Sequence, residues 1–155
     1  MRYGSWARLL KGAIVLAGIA ALAFLPTAAT ATPGSGVTAA ELARGTSADS
    51  LDIRTKGPTD VVFRTVTIAP GGSTGWHYHP GKVLAVVKEG TLTRTKAKGC
   101  TVEVSGPGDT VLETGGPRDI HIGRNLGPEP VVLYLTYLIP KNAPLAVDAD
   151  NPGCP

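Results

Sequence analysis

The chain contains three histidines, and their spacing is the one expected of a metal site. His77 and His79 are separated by a single residue, and His121 lies further along the chain. Residues i and i+2 of a β-strand point to the same face, so the first two imidazoles can converge on one point. Imidazole is the commonest neutral ligand for transition metals, and a third imidazole from another strand can complete the set. We therefore predict a site that holds a divalent Fe, Zn, Mn, Ni or Cu ion.

Short segments with the character of β-strands must position these histidines. The segments are rich in β-branched residues or alternate between apolar and polar residues, and clusters of Gly and Pro separate them. About eight short strands at near-regular spacing predict an all-β, antiparallel sandwich or barrel. The segments are residues 51–54, 61–68, 82–88, 91–95, 101–105, 110–112, 120–122 and 131–139.

Residues 1–31 have the three-part pattern of a secretory signal peptide. Basic residues precede an uncharged apolar run over residues 12–25, and the small residues 29–31 fit a cleavage site. An uncleaved membrane anchor is the alternative, but the apolar run is shorter than the roughly 20 residues that a spanning helix needs. We therefore predict export, either to the cell envelope or out of the cell, with no stable membrane span after cleavage.

The rest of the chain is predicted to form one domain with two flanking segments. Residues 32–49 form a linker and a short helix, because residues 38–41 have the spacing of a capping box and predict a helix through about Arg44. Residues 50–140 form the β-domain, and residues 141–155 form a C-terminal tail.

Charge gives no sign of a nucleic-acid partner. Three of the 15 Lys and Arg residues lie in the predicted leader, which leaves 12 to balance the 12 Asp and Glu residues. The chain also has no basic patch with interleaved aromatic residues, so binding to nucleic acid is not expected.

The chain has two cysteines, Cys100 and Cys154. In an exported protein the default expectation for two cysteines is one disulfide, and two free thiols are the alternative. The sequence does not show whether the two Cα atoms come close enough to be bridged.

The motifs around the histidines resemble those of the cupin superfamily. Gly71 is followed by five residues and the pair His77 and His79, and Gly90 closes this first motif. In the second motif His121 is followed four positions later by Asn, here at position 125. The resemblance covers roughly residues 61–138. It implies a small antiparallel double-sheet jelly-roll barrel with the metal inside, a small-molecule ligand, and a homodimer as a family-level expectation.

The acidic ligand of the family is missing from its usual place. Val83 stands where the first motif of the family carries a metal-ligating Glu. Asp119 is two residues before His121, so on a regular strand it faces the same side and could act as a fourth ligand or orient an imidazole. Glu113 is a weaker candidate, because the two glycines at 115–116 make its direction unpredictable.

Three functions are compatible with these residues. The first is a metal-dependent enzyme of oxygenase type that acts on a small molecule, as the three-histidine variants of the resembled family suggest. The second is a non-catalytic small-molecule or metal-binding module of the cell envelope, and the third is a purely structural barrel. Arg94, Lys96 and Lys98 are interpreted as a solvated strand and turn.

Overall fold

The computed structural model describes residues 35–155 of the chain. Residues 39–155 form one compact unit, which holds every strand described below. The predicted signal peptide lies outside the described residues. In the described part of the chain no helix is long and apolar enough to cross a membrane.

The predicted all-β, antiparallel fold is confirmed. Residues 59–148 form nine strands in two sheets, with one short 3₁₀ turn at Lys98–Cys100. The first sheet has the order β1-β8-β3-β6 and the second the order β5-β4-β7-β2-β9, and every pair is antiparallel. The strands are β1 (Thr59–Ile68), β2 (His77–Tyr78), β3 (Lys82–Glu89), β4 (Leu92–Lys96), β5 (Thr101–Ser105), β6 (Thr110–Glu113), β7 (His121–Arg124), β8 (Val131–Pro140) and β9 (Val147–Asp148).

The core lies on the inner face of the first sheet. Alternate residues of β8 are buried from Val131 to Ile139, and alternate residues of β3 are buried from Val83 to Val87. This alternation is the pattern of a sheet that packs one face on a core. Inner-face side chains of both sheets line one cavity, so the two sheets pack face to face as in a jelly roll. Within residues 35–155 their hydrogen-bonded ladders stay separate and do not close into one continuous barrel.

The short helix predicted after residue 38 is wrong. Residues 37–45 have no regular secondary structure, and most of their side chains are exposed. Short helices are marginal in water unless an apolar face packs on the protein, and Leu42 here is 68% exposed. The ion pair between Arg44 and Glu41 does not overcome that deficit.

The segment predicted as a C-terminal tail belongs to the second sheet. Strand β9 pairs with β2, and the backbone amide of Ala149 donates to the carbonyl of Trp76. Cys100 and Cys154 form a disulfide with their Cα atoms 5.4 Å apart. The bridge anchors the C-terminal segment beside the 3₁₀ turn, where Cys154 packs with Trp76 and Ile122.

The side chain of Asn125 links the two motif regions through hydrogen bonds. It is fully buried, and Nδ2 donates to the carbonyls of Ile68 and Glu129 while Oδ1 accepts from the amide of Gly127. Asn side chains commonly satisfy the backbone groups of turns in this way. The bond to Ile68 ties the residue that follows β7 to the end of β1.

Candidate metal centre

His77 on strand β2 and His79, which directly follows that strand, face the interior between the sheets. His77 and His79 are 8% and 4% exposed. The pair lies between two neighbours, because β2 pairs with β7 on one side and with β9 on the other. Their spacing in the chain therefore does bring both imidazoles to one place, with Nε2 of His77 lying 3.2 Å from Nε2 of His79.

The third histidine comes from the neighbouring strand. His121 begins β7, is directly opposite His77 in the antiparallel ladder and is 2% exposed. Directly opposite residues of an antiparallel pair project to the same face of the sheet. One ligand atom from each of the three histidines falls within 4.8 Å of the others.

Backbone carbonyl groups set the orientation of all three rings. Nδ1 of His77 lies 2.9 Å from the carbonyl oxygen of Gly75. Nδ1 of His79 lies 2.6 Å from that of Leu145, and Nδ1 of His121 lies 2.8 Å from that of Asp119. A carbonyl oxygen can only accept, so each Nδ1 must carry the proton and donate it. In the neutral rings the three inward-facing Nε2 atoms therefore present lone pairs, which is the form in which imidazole binds a metal.

A carboxylate faces the same lone pairs. Glu113, the last residue of β6, is 8% exposed. Its Oε2 lies 2.9 Å from Nε2 of His79, and its Oε1 lies 3.1 Å from Nε2 of His121. Glu113, the weaker of the two acidic candidates in the sequence, is thus the residue whose carboxylate the fold brings to the histidines.

Asp119 takes a different position. Its carboxylate accepts hydrogen bonds from the amides of Thr114 and Gly115, at 2.6 Å and 3.2 Å, and so closes the turn between β6 and β7. Its contact with His121 is made by the backbone carbonyl. Asp119 therefore orients the ring of His121 through its main-chain carbonyl and not through its carboxylate.

Ionisation of the cluster follows from its burial and its close contacts. Burial raises the pKa of Glu113, but the contacts with His121 and His79 outweigh it and hold that pKa well below its ordinary value. Burial acts to lower the pKa of His121, and contact with the Glu113 carboxylate raises it above the ordinary value overall. Burial lowers the pKa of His77. The site therefore carries an ionised carboxylate beside imidazoles.

Arg94 is a further charged residue at the site, and the interpretation of this residue as solvated is wrong. It is 6% exposed, and its Nη1 lies 3.5 Å from Oε1 of Glu113. Its Nε donates to Glu103 at 3.1 Å, and its Nη2 donates to the same carboxylate. The two-residue period of a β-strand could have indicated the burial of Arg94. Arg94 shares a face with Leu92 two residues earlier, and a Leu on a half-buried strand marks the inward face.

The cavity beside the cluster is small. It measures about 70 Å³, and its apolar walls come from both sheets. A larger hollow of about 340 Å³ lies on the outer face of the first sheet around Phe63 and Tyr134, but none of its lining residues is a His or a carboxylate. The donor set, rather than the volume, identifies the functional site. The apolar walls are Val66, Leu92, Leu133 and Leu135.

The donor set fits a divalent cation. Nε2 of His121, Oε2 of Glu113 and Nη1 of Arg94 are buried side-chain atoms without a hydrogen-bond partner. Buried polar groups normally have partners, and orphaned ones are costly. Nε2 of His121 and Oε2 of Glu113 both present lone pairs towards the cluster. A cation bound among these groups removes the repulsion between their lone pairs. Imidazole nitrogen and carboxylate oxygen are ligands for zinc, iron and related ions.

Comparison with known proteins agrees with this fold. The family model described as "Cupin domain" matches residues 64–137. No curated protein sequence matches the chain significantly. Among solved structures, a polyketide cyclase from Streptomyces resistomycificus is 19% identical with a TM-score of 0.50, over 61% of this chain and 65% of the cyclase chain.

Two other solved structures are also similar to this chain. An oxalate oxidase is 24% identical with a TM-score of 0.49, over 57% of this chain and 46% of the oxidase chain. A protein with a double-stranded β-helix domain from Klebsiella pneumoniae is 23% identical with a TM-score of 0.49, over 63% of this chain and 90% of its own. The chain thus spans about half the length of the oxidase and about two thirds of the cyclase.

Proposed function

Residues 64–137 of this chain are a cupin domain, and we propose that the domain binds one divalent metal ion through His77, His79 and His121. The observation that carries the proposal is the orientation of the rings. Three backbone carbonyls take the Nδ1 protons, and the ligand atoms of the three rings lie within 4.8 Å of one another. Such an arrangement holds lone pairs together at a cost unless a cation joins them.

The ligand types limit the choice of metal. The site has no thiolate, since both cysteines are joined in the disulfide. Nitrogen and oxygen ligands suit Fe, Zn, Mn, Ni or Cu. A divalent ion held there would act as a Lewis acid with an open position for a small ligand.

We propose that the bound metal supports oxygenase-type or related chemistry on a small molecule. A cavity of about 70 Å³ is far below the roughly 300–1,000 Å³ of pockets for drug-sized ligands. The group that reaches the metal is therefore limited to a few heavy atoms, such as dioxygen or the end of a small acid. Buried apolar walls keep bulk water out, which strengthens electrostatic interactions inside the site.

The same small cavity favours a second candidate function, a metal-binding module without catalysis. A site that admits only a few atoms can hold a metal without turning over an organic substrate. The two candidates differ in whether the metal-loaded protein consumes oxygen or substrate.

We also propose that the protein is exported. The leader pattern of residues 1–31 supports this, and so does the disulfide, because such bridges form and persist in oxidising compartments. The small-molecule ligand and the homodimer stay predictions.

The metal content of the exported protein tests the proposal. The protein is purified without chelator and its metals are measured by plasma mass spectrometry, together with His77→Ala, His121→Ala and the surface control Lys98→Ala. We expect about one equivalent of metal in the parent and the control, and less than a tenth of that in both His variants, because each removes one of three neutral ligands.

Absence of metal from the parent, even after incubation with each divalent ion, would overturn the proposed function. Oxygen uptake by the loaded protein with thiols, diketones and hydroxy acids then separates the two candidates. Consumption that is lost in His77→Ala supports the enzyme, and silence across the panel supports the binding module.

A further inference from the structure

We propose that Glu113 supplies the acidic ligand of the metal site, from the strand next to the one on which the family motif carries it. The inference rests on the proposed metal binding and names a fourth ligand for it. In this chain the family position is Val83, which is fully buried among apolar side chains. The carboxylate has therefore changed strands while its place in the site has been kept.

The register of the first sheet explains how this substitution is possible. Val83 on β3 and Glu113 on β6 are directly opposite each other in the antiparallel ladder. Opposite residues project to the same face, with Cβ atoms about 4.5–5.5 Å apart. A glutamate side chain is long enough to span that displacement, so a carboxylate from either position can reach the same cluster of imidazoles.

The distances are those of neighbouring ligands around one ion. Two ligand atoms that each lie about 2.1 Å from a metal, at a right angle, are about 3.0 Å apart. Glu113 Oε2 to His79 Nε2 is 2.9 Å, and Glu113 Oε1 to His121 Nε2 is 3.1 Å. His77 Nε2 to His79 Nε2 is 3.2 Å.

Hydrogen bonds from neutral imidazole rings to the Glu113 carboxylate do not explain these short contacts. Because the ring protons of His79 and His121 lie on Nδ1 and face carbonyls, Nε2 has no proton to give to the carboxylate. Oε2 of Glu113 and Nε2 of His121 accordingly lack a hydrogen-bond partner. A cation shared by the four side chains satisfies both atoms at once.

Pairing with Arg94 does not account for the buried carboxylate either. Arg94 donates to Glu103 through both Nε and Nη2, and Glu103 also accepts from Lys96. The remaining Nη1 of Arg94 lies 3.5 Å from Glu113 and forms no hydrogen bond there. The ion pair with Arg94 therefore involves Oε1 of Glu113 alone, and the buried Oε2 is left for another positive partner.

The decisive experiment moves the carboxylate back across the ladder. Four variants are compared with the parent: Glu113→Gln, Glu113→Val, the double variant Val83→Glu/Glu113→Val, and the control Glu89→Gln at the exposed end of β3. Affinity for the ion found in the purified protein is measured by chelator competition. Loading with Co²⁺ gives a visible spectrum that reports the ligand set without any assay of activity.

We expect Glu113→Gln and Glu113→Val to bind metal at least about 10-fold more weakly, since even groups that only support a ligand contribute 10–100-fold. We expect the double variant to recover most of that loss and to restore the parent-like Co²⁺ spectrum. Glu89→Gln should match the parent. Glu113→Gln is nearly isosteric, so it keeps the test valid if the Val variant misfolds.

Two results overturn the inference, and they are distinguishable. Parent-like affinity and spectrum in Glu113→Gln, with metal still lost in His77→Ala, remove Glu113 from the ligand set and leave the three-histidine site standing. A parent that binds no metal overturns the proposed function, and this inference with it.

Discussion

At the scale of single residues, the site is built from side chains whose neighbours hold them in one state. Each imidazole is oriented by a carbonyl, and Glu113 is kept ionised by its contacts with the rings. Arg94 is held in turn by Glu103, outside the ligand set. A site with this degree of support loses little entropy when a metal binds, because its ligands are already in place.

The ion pair of Glu103 predicts an acid-sensitive contribution to stability. Burial raises the pKa of Glu103, but hydrogen bonds from Lys96 and Arg94 outweigh it, so the folded pKa lies below the ordinary value of 4.5. A group whose pKa is lower in the folded protein stabilises it above the unfolded pKa and loses that effect as pH falls through the folded pKa. The contribution is therefore present at neutral pH and is lost below about pH 4.5.

We expect Glu103→Gln to lower the melting temperature at pH 7 and to make less difference as the pH falls towards 3. Thermal unfolding of the parent and the variant between pH 3 and pH 7 measures this, with Glu89→Gln as the control for loss of one charge. An equal difference in melting temperature between the parent and Glu103→Gln at every pH would contradict a stabilising role for the ionised Glu103 carboxylate.

At the scale of elements, the C-terminal segment supports the histidines of the candidate metal centre. Strand β9 pairs with β2 opposite His77, and the carbonyl of Leu145 holds His79. The segment is anchored at its end by the disulfide between Cys100 and Cys154. Two of the three histidines therefore depend on chain that follows the matched domain, residues 64–137.

We expect the double variant Cys100→Ser/Cys154→Ser to lose both stability and metal affinity. Closing a loop of 54 residues is worth at most about 4 kcal/mol in the chain-entropy account. Denaturant unfolding measures the first effect, and chelator competition measures the second. The parent in reducing buffer should behave like the variant. A less stable variant with parent-like affinity would show that the disulfide does not support the histidines.

At the scale of the whole domain, the candidate metal centre takes its residues from both sheets. Glu113 belongs to the first sheet, whereas His77 and His121 belong to strands of the second. A ligand shared by both sheets stabilises their packing by mass action, because the unfolded chain cannot present the same set of ligands. The predicted homodimer is a separate matter, and exposed side chains such as Phe63, on β1, are where it would be tested first.

We expect metal removal to lower the stability of the whole domain. A free metal concentration 100 times the dissociation constant should add about 2.7 kcal/mol to the free energy of unfolding. Calorimetry of the protein with EDTA and with excess metal measures the shift in Tm. The His121→Ala variant should show almost no shift. A Tm that is the same with and without metal in the parent would contradict the role of the site as a link between the sheets.

Local patterns in the sequence determined the strands, the three histidines and the resemblance to cupins. Strand periodicity and the spacing of His77 and His79 depend on neighbouring residues, so they can be read along the chain. His121 and Asn125 were identified by motif, and both side chains are buried in the fold. The burial of Arg94 could also have been predicted, because the residue lies two positions after Leu92 on the strand. Its charge led instead to the interpretation that it is solvated.

Only the tertiary structure decided which acid lies against the histidines and which segment supports them. Glu113 reaches the histidines because β6 pairs with β3 in one particular register, and the C-terminal segment reaches them because β9 pairs with β2. Both pairings join residues that are distant in sequence, and a shift of one residue in register would turn each side chain to the opposite face. The helix predicted after residue 38 failed for a related reason, because a capping signal cannot show whether the protein offers a surface for the helix to pack on.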